Sequence, residues 1–236
     1  MNSTNTGATG PADVDLDRVW IGVAAQVWHR QPGRLERTAV RLLRSPGLAR
    51  ALLTTPSLLL GWVIASAVVL AAGAVATVST GTPFVALLAP AVAAAGIAYA
   101  YGPGIDPAWE LSQSMAVSDR MVLLVRALAV FALNAVLGLA ASAASGAAAA
   151  VTFGWLVPMT AVCALALAAA TLARSANVGV AAGLAGWAIT VLGSRVAGDS
   201  LTAAVASASL ILPYLLTAVV CSAIAWYATR IPRGMS

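Results

Sequence analysis

The chain has 236 residues, 61% of them hydrophobic and 9% charged, and its mean hydropathy is +0.91. Soluble domains carry roughly 25% charged residues, so an ordinary water-soluble protein is excluded and a bilayer is indicated. All thirteen basic residues are arginine; with no lysine there is no Walker A motif, whose lysine reaches the nucleotide phosphates, and the chain is not by itself a P-loop ATPase.

Residues 1–16, rich in Asn, Thr, Gly and Asp, read as a disordered cytoplasmic tail. They lack the basic start and apolar run of a secretory signal, so targeting is expected from the first span. Residues 17–56 read as cytoplasmic and interfacial helices. The stretch DRVWIGVAAQVWHRQ is apolar but too short to span, and Pro32-Gly33 ends it. In RLERTAVRLLRS, Arg34, Arg37, Arg41 and Arg44 recur at helical spacing, with Leu35, Ala39, Leu42 and Leu43 on the other side. That pattern fits a helix in the plane of the membrane surface, its arginines among anionic head groups; a solvated helix face is the alternative.

Residues 57–230 read as an all-α domain of six transmembrane helices, because apolar runs of about 20 residues match a hydrocarbon core of roughly 30 Å. No charge falls between Arg50 and Asp106, and Gly81-Thr82-Pro83 breaks that stretch, giving spans near 57–79 and 84–101. Between Arg126 and Arg174 there is room for two more, near 121–146 and 153–173. A fifth is expected near 177–194 and a sixth near 209–229, with a possible re-entrant helix at 200–208 and a cytoplasmic tail at 231–236. With both termini cytoplasmic, twelve of the thirteen arginines lie inside and only Arg195 outside, as the positive-inside rule requires. This placement accounts for the pI near 10.0 without nucleic acid. Tyr99, Tyr101, Trp226 and Tyr227 fall near cytoplasmic ends and Trp155 near an external end, where interface-seeking aromatics are expected.

No Asp, Glu, His, Lys or Arg lies clearly within the core of an expected span, so proton coupling of the kind seen in secondary transporters is not expected. His29 is the one histidine, and Cys163 and Cys221 sit on separate spans. Neither a nucleophile with its base nor a metal-ligand set can be assembled, so no catalytic and no metal site is expected. The two cysteines read as small buried apolar side chains rather than a disulfide. Gly138, Ser142 and Gly146 repeat every fourth position, as do Gly179 and Gly183, followed by Gly186. Such small-residue faces let helices approach closely in lipid, although an alanine-rich chain also produces the spacing by chance. Pro90 and Pro158 are candidate kinks. Asn134 reads as an interhelical hydrogen-bonding residue or a substrate contact.

Tyr101 to Arg120, YGPGIDPAWELSQSMAVSDR, interrupts this apolar chain. Asp106 is a good N-cap, Pro107 suits the first helical position, and Glu110 falls in the first turn near the positive helix end. A short cytoplasmic helix over 107–116 follows, presenting Trp109, Leu111 and Met115 beside polar groups, with Ser118 capping the next helix. Exposed apolar side chains there fit a soluble partner that covers them; a helix folded back on the bilayer is the alternative.

The order of parts resembles the membrane (permease) subunit of the type-two ATP-binding-cassette (ABC) exporters. Those proteins have an amphipathic helix before the first of six spans, a coupling helix between spans two and three, and short re-entrant helices before span six. The layout covers roughly residues 34–230, but the specific likeness is confined to WELSQSMAVSDRMVLLVRAL, Trp109 to Leu128. It is similar to the family's Glu-Leu, small or polar run, serine-containing turn and arginine before an apolar helix. Ala116-Val117 stands where many members have a Thr-Pro-like turn. The resemblance implies a coupling helix at 107–116, with Asp106, Trp109, Glu110, Leu111 and Met115 contacting an ATPase, and Ser118 and Arg120 at its exit. It also implies two copies of the ATPase subunit, carrying ATP and magnesium, a second membrane subunit identical or related, and residence in the cytoplasmic membrane. A non-transporting scaffold or signalling protein that binds a cytoplasmic partner is the alternative, and an uncoupled channel a third reading.

Overall fold

The computed structural model describes residues 18–22, 34–43, 56–101, 119–196 and 203–229. All regular structure among them is helical. The chain divides after Ser45 into two units. In the first, residues 18–22 are helical and α1 spans Arg34–Leu43, with Arg34, Arg37 and Arg41 exposed. Arg44 lies outside the described residues.

The second unit is a helical bundle. Helix α2, Pro56–Thr80, opens on a proline, whose missing N–H is of no consequence in a first turn. It ends at Gly81, which takes a φ of 73° that a side chain would strain. The turn into α3, Phe84–Tyr99, is closed by Thr77. Its hydroxyl donates to the Gly73 carbonyl at 2.8 Å and accepts from the Phe84 N–H at 3.0 Å, one of the orphan donors at the start of α3.

Among the described residues, five stretches are long and apolar enough to cross a membrane: Gly61–Thr80, Arg120–Ala144, Ala149–Ala173, Ala176–Val196 and Ala208–Ala228. This is the make-up of a multi-pass membrane protein. The helix expected at 84–101 differs. It is α3, 16 residues long, or about 24 Å, less than the roughly 30 Å of a hydrocarbon core. Four helices, α2, α4, α6 and α7, sheathe it, and Ala93, Ala94 and Ala98 are wholly buried. Protein rather than lipid surrounds α3, so its length need not match the bilayer.

Helix α4 spans Asp119–Ala144 and ends in a turn at Ser145-Gly146. Gly146, grouped by spacing with Gly138 and Ser142, is therefore not on the helix; its φ of 71° serves the turn. The span expected at 153–173 is divided into α5, Ala149–Gly154, and α6, Leu156–Ala173. Pro158 explains the break, since it cannot donate to the Gly154 carbonyl four residues back and its ring crowds that position. In α6 itself Pro158 occupies the first turn and kinks nothing. Trp155 at the break is fully buried, not placed at an interface; its ring lies against Gly138 of α4.

A two-residue turn, Arg174-Ser175, leads to α7, Ala176–Val196. Arg174 adopts a φ of 53°, and Ser175 donates its N–H to the Ala170 carbonyl at 3.1 Å. Finally, α8, Ala203–Ala206, lies within the expected re-entrant segment and precedes α9, Ala208–Ala228. Tyr214 Oη donates to the Ala204 carbonyl at 2.8 Å and holds α8 to α9, while α8 packs on α5.

Close approach of small residues sets the bundle's centre. A side chain on Gly179 would meet Ala170 and the Ala166 carbonyl oxygen at 2.7 Å and Ala98 Cβ at 3.0 Å; one on Gly183 would meet Ala166, the Val162 carbonyl and Ala94. Moving up α7 thus moves down both α3 and α6, so α7 is antiparallel to each. Pro90 lies inside α3 next to this seam, and the Leu87 carbonyl accepts from Trp187 Nε1 of α7 at 2.7 Å.

Candidate functional site at the charged end of the bundle

Alternating helix directions give the bundle two ends. Among its described residues one end carries Asp119, Arg120, Arg126 and Arg174, and the other only Arg195. The charged end holds the junctions from which residues 102–118 depart and to which they return. Asp106, Trp109, Glu110, Leu111, Met115 and Ser118, the greater part of the expected coupling segment, lie outside the described residues.

The two edges of that segment are well defined. At its start, Tyr101 is buried against Leu123 of α4 and Ala170 of α6. One turn earlier in α3, Gly96 allows the Trp62 indole of α2 to lie on the backbone, where a Cβ would come within 2.6 Å of the ring. The same indole meets the Tyr99 ring at 6.3 Å between centroids, inclined by 54°, a favourable aromatic separation. At the segment's end, Arg120 is half-buried and its guanidinium carbon lies 3.1 Å from the centroid of the Trp226 ring in α9. This is a cation–π contact. Tyr101 thus packs on α4 and α6 at one edge of the segment, and Arg120 joins α4 to α9 at the other.

Among the described residues of the bundle no three His, Cys, Asp or Glu side chains come together. Cys163 and Cys221 are free and buried. Asn134 is fully buried on α4, its Nδ2 donating to the Val130 carbonyl at 2.8 Å while Oδ1 has no donor. Among the described residues it makes no side-chain hydrogen bond to another helix. Ser142, also buried, lies 3.4 Å from the Thr152 hydroxyl and ties α4 to α5.

Sequence reasoning placed Arg120 at the segment's exit but did not find its partner, nor the burial of Tyr101. Both aromatics lie near helix ends, where an interfacial role and a tertiary contact give the same sequence signal. Comparison with protein families, with curated proteins and with solved structures finds no match to this chain.

Proposed function

We propose that this chain is the transmembrane subunit of an ABC exporter of the type-two class, moving an apolar or amphipathic substrate across the cytoplasmic membrane. ATP hydrolysis, with magnesium, takes place in a separate ATPase subunit, two copies of which serve two membrane subunits. Both termini and residues 102–118 lie in the cytoplasm, and six membrane crossings include the short, protein-sheathed α3.

The observation that carries this reading is the segment from Asp106 to Arg120 together with its setting. A capped, ionisable helical pattern interrupts a chain otherwise almost devoid of charge, and it returns to the bundle at Arg120. A membrane domain lacking a nucleotide motif and an intramembrane ion site needs energy delivered from outside, and this segment is the natural receiver. Closure of the ATPase dimer would press on Trp109, Glu110, Leu111 and Met115, and the bundle helices would tilt in response.

Coexpression with the ATPase encoded nearest to it tests the proposal. The two are expected to copurify in mild detergent, and Glu110→Arg is expected to abolish the association while leaving the membrane chain folded. Separation of the wild-type proteins under conditions where both stay folded would count against export and favour a scaffold.

A further inference from the structure

Four enclosed side-chain atoms among the described residues have no hydrogen-bond partner: Trp62 Nε1, Ser66 Oγ, Asn134 Oδ1 and Trp155 Nε1. All four lie along one seam. On α2, Gly73 rests on Val85 and Leu88 of α3 and the Trp62 ring rests on Gly96, so Ser66, one turn past Trp62, lies level with Ala93. On α4, Gly138 lies against Ala89 of α3 and against the Trp155 ring, so Asn134, one turn nearer the charged end, is level with Ala93 as well. Helices α2, α3 and α4 pack on one another in pairs. Ser66 and Asn134 therefore share one layer, near the middle of α2 and of α4, with an indole about a turn to either side. The hydroxyls of Thr77, Thr160, Thr171 and Ser194 each turn back and donate to a carbonyl of their own helix. That of Ser66 does not.

From this arrangement we infer that the α2–α3–α4 junction is a binding site for water midway along the bundle, one molecule bridging Ser66 and Asn134 and the two indoles extending the site. The polar groups select the ligand. Asn134 Oδ1 needs a donor, the indole N–H groups need acceptors, and the Ser66 hydroxyl serves as either, so the ligand must both donate and accept. Helices α2 and α3 carry no charged residue, and the nearest on α4, Arg126, is more than two turns away, so nothing neutralises a bound anion. Two neutral side-chain oxygens fall well short of the roughly six that a hard cation takes. Ala89, Ala93 and Gly138 stand at this level with the shortest side chains, and all three are buried, which limits the ligand to the smallest molecule of its kind. Ordering a water also costs less than leaving buried polar atoms unpaired. Water thus ties α2 to α4 where the two side chains do not bond directly. The site is a property of the bundle and does not depend on the exporter reading.

The experiment uses the full chain in proteoliposomes, with nitrogen-15 at asparagine and tryptophan, and follows magnetisation passing from water to side-chain nitrogens in the solid state. Trp187 is the internal control, because its Nε1 is buried but already bonded to the Leu87 carbonyl. Transfer to Asn134 Nδ2 and to the Trp62 and Trp155 indoles is expected to be several-fold faster than to Trp187. Ser66→Ala should bring Asn134 down to the Trp187 rate. Asn134→Leu should do the same for Trp155; leucine displaces the water together with the acceptor, so this variant folds even where Ser66→Ala does not. Asn134 no faster than Trp187 in the unsubstituted chain would overturn the site. So would an unchanged Asn134 rate in Ser66→Ala or an unchanged Trp155 rate in Asn134→Leu, since water would then be seeping in without being held.

Discussion

Gly179→Ala puts the packing of the bundle's centre to a direct test. The added methyl group would lie 2.7 Å from the Ala166 carbonyl oxygen, 2.7 Å from Ala170 Cβ and 3.0 Å from Ala98 Cβ. None of these neighbours can rotate away, because one is backbone and two are the first atoms of alanine side chains. Helix α7 must then back off from α3 and α6 by several tenths of an ångström, over a seam that includes Gly183 and the Trp187–Leu87 hydrogen bond. Overpacking a close-fitted interior costs about 1–3 kcal/mol, and alanine's better helix propensity returns at most ~1 kcal/mol. A net loss of about 1–2 kcal/mol is expected, larger for Gly179→Val. Reversible unfolding in mixed micelles reads it directly. Gly193→Ala, where nothing lies within 4 Å, should be neutral or slightly stabilising in the same assay. If Gly179→Ala matched Gly193→Ala, the α3–α6–α7 seam would not be the close contact described.

The same unfolding assay checks three further expectations. Trp187→Phe removes the donor to the Leu87 carbonyl and should cost about 1–3 kcal/mol; a cost near zero would show that this bond does not tie α7 to α3. Asn134→Leu removes a buried acceptor without a donor and should be neutral or stabilising; a marked loss would reveal a polar partner for Oδ1. Arg174→Gly should relieve the left-handed backbone and stabilise by up to ~1 kcal/mol, whereas Arg174→Val should destabilise, because a branched side chain resists a φ of 53°.

Much of the architecture was legible in the sequence because charge and turn residues punctuate it. The gap between Arg50 and Asp106, broken at Gly81-Thr82-Pro83, located α2 and the start of α3 closely, and α7 and α9 begin and end within two residues of expectation. Hydropathy cannot distinguish a helix bathed in lipid from one sheathed by protein, which is why α3 was expected to be longer than it is. Pro158 was read as a kink within a span that began too late; its disruptive reach is four residues back, and the break accordingly falls at Trp155. Trp155 and Tyr101 show the same ambiguity from another side, since an aromatic near a helix end fits an interface or a core equally well. Pairings across long separations, Trp187 with Leu87 and Arg120 with Trp226, leave no local pattern at all. Of the candidate coupling segment, the sequence supplied the residue types and the structure its two anchored edges.

If work reaches this bundle through residues 102–118, that segment must face the cytoplasm. Ser112→Cys, with Cys163 and Cys221 both buried, gives a thiol in that segment for a membrane-impermeant maleimide. Labelling is expected only after the cytoplasmic face is opened, and coexpression with the partner ATPase should shield it. Labelling of intact cells from outside would contradict the claim.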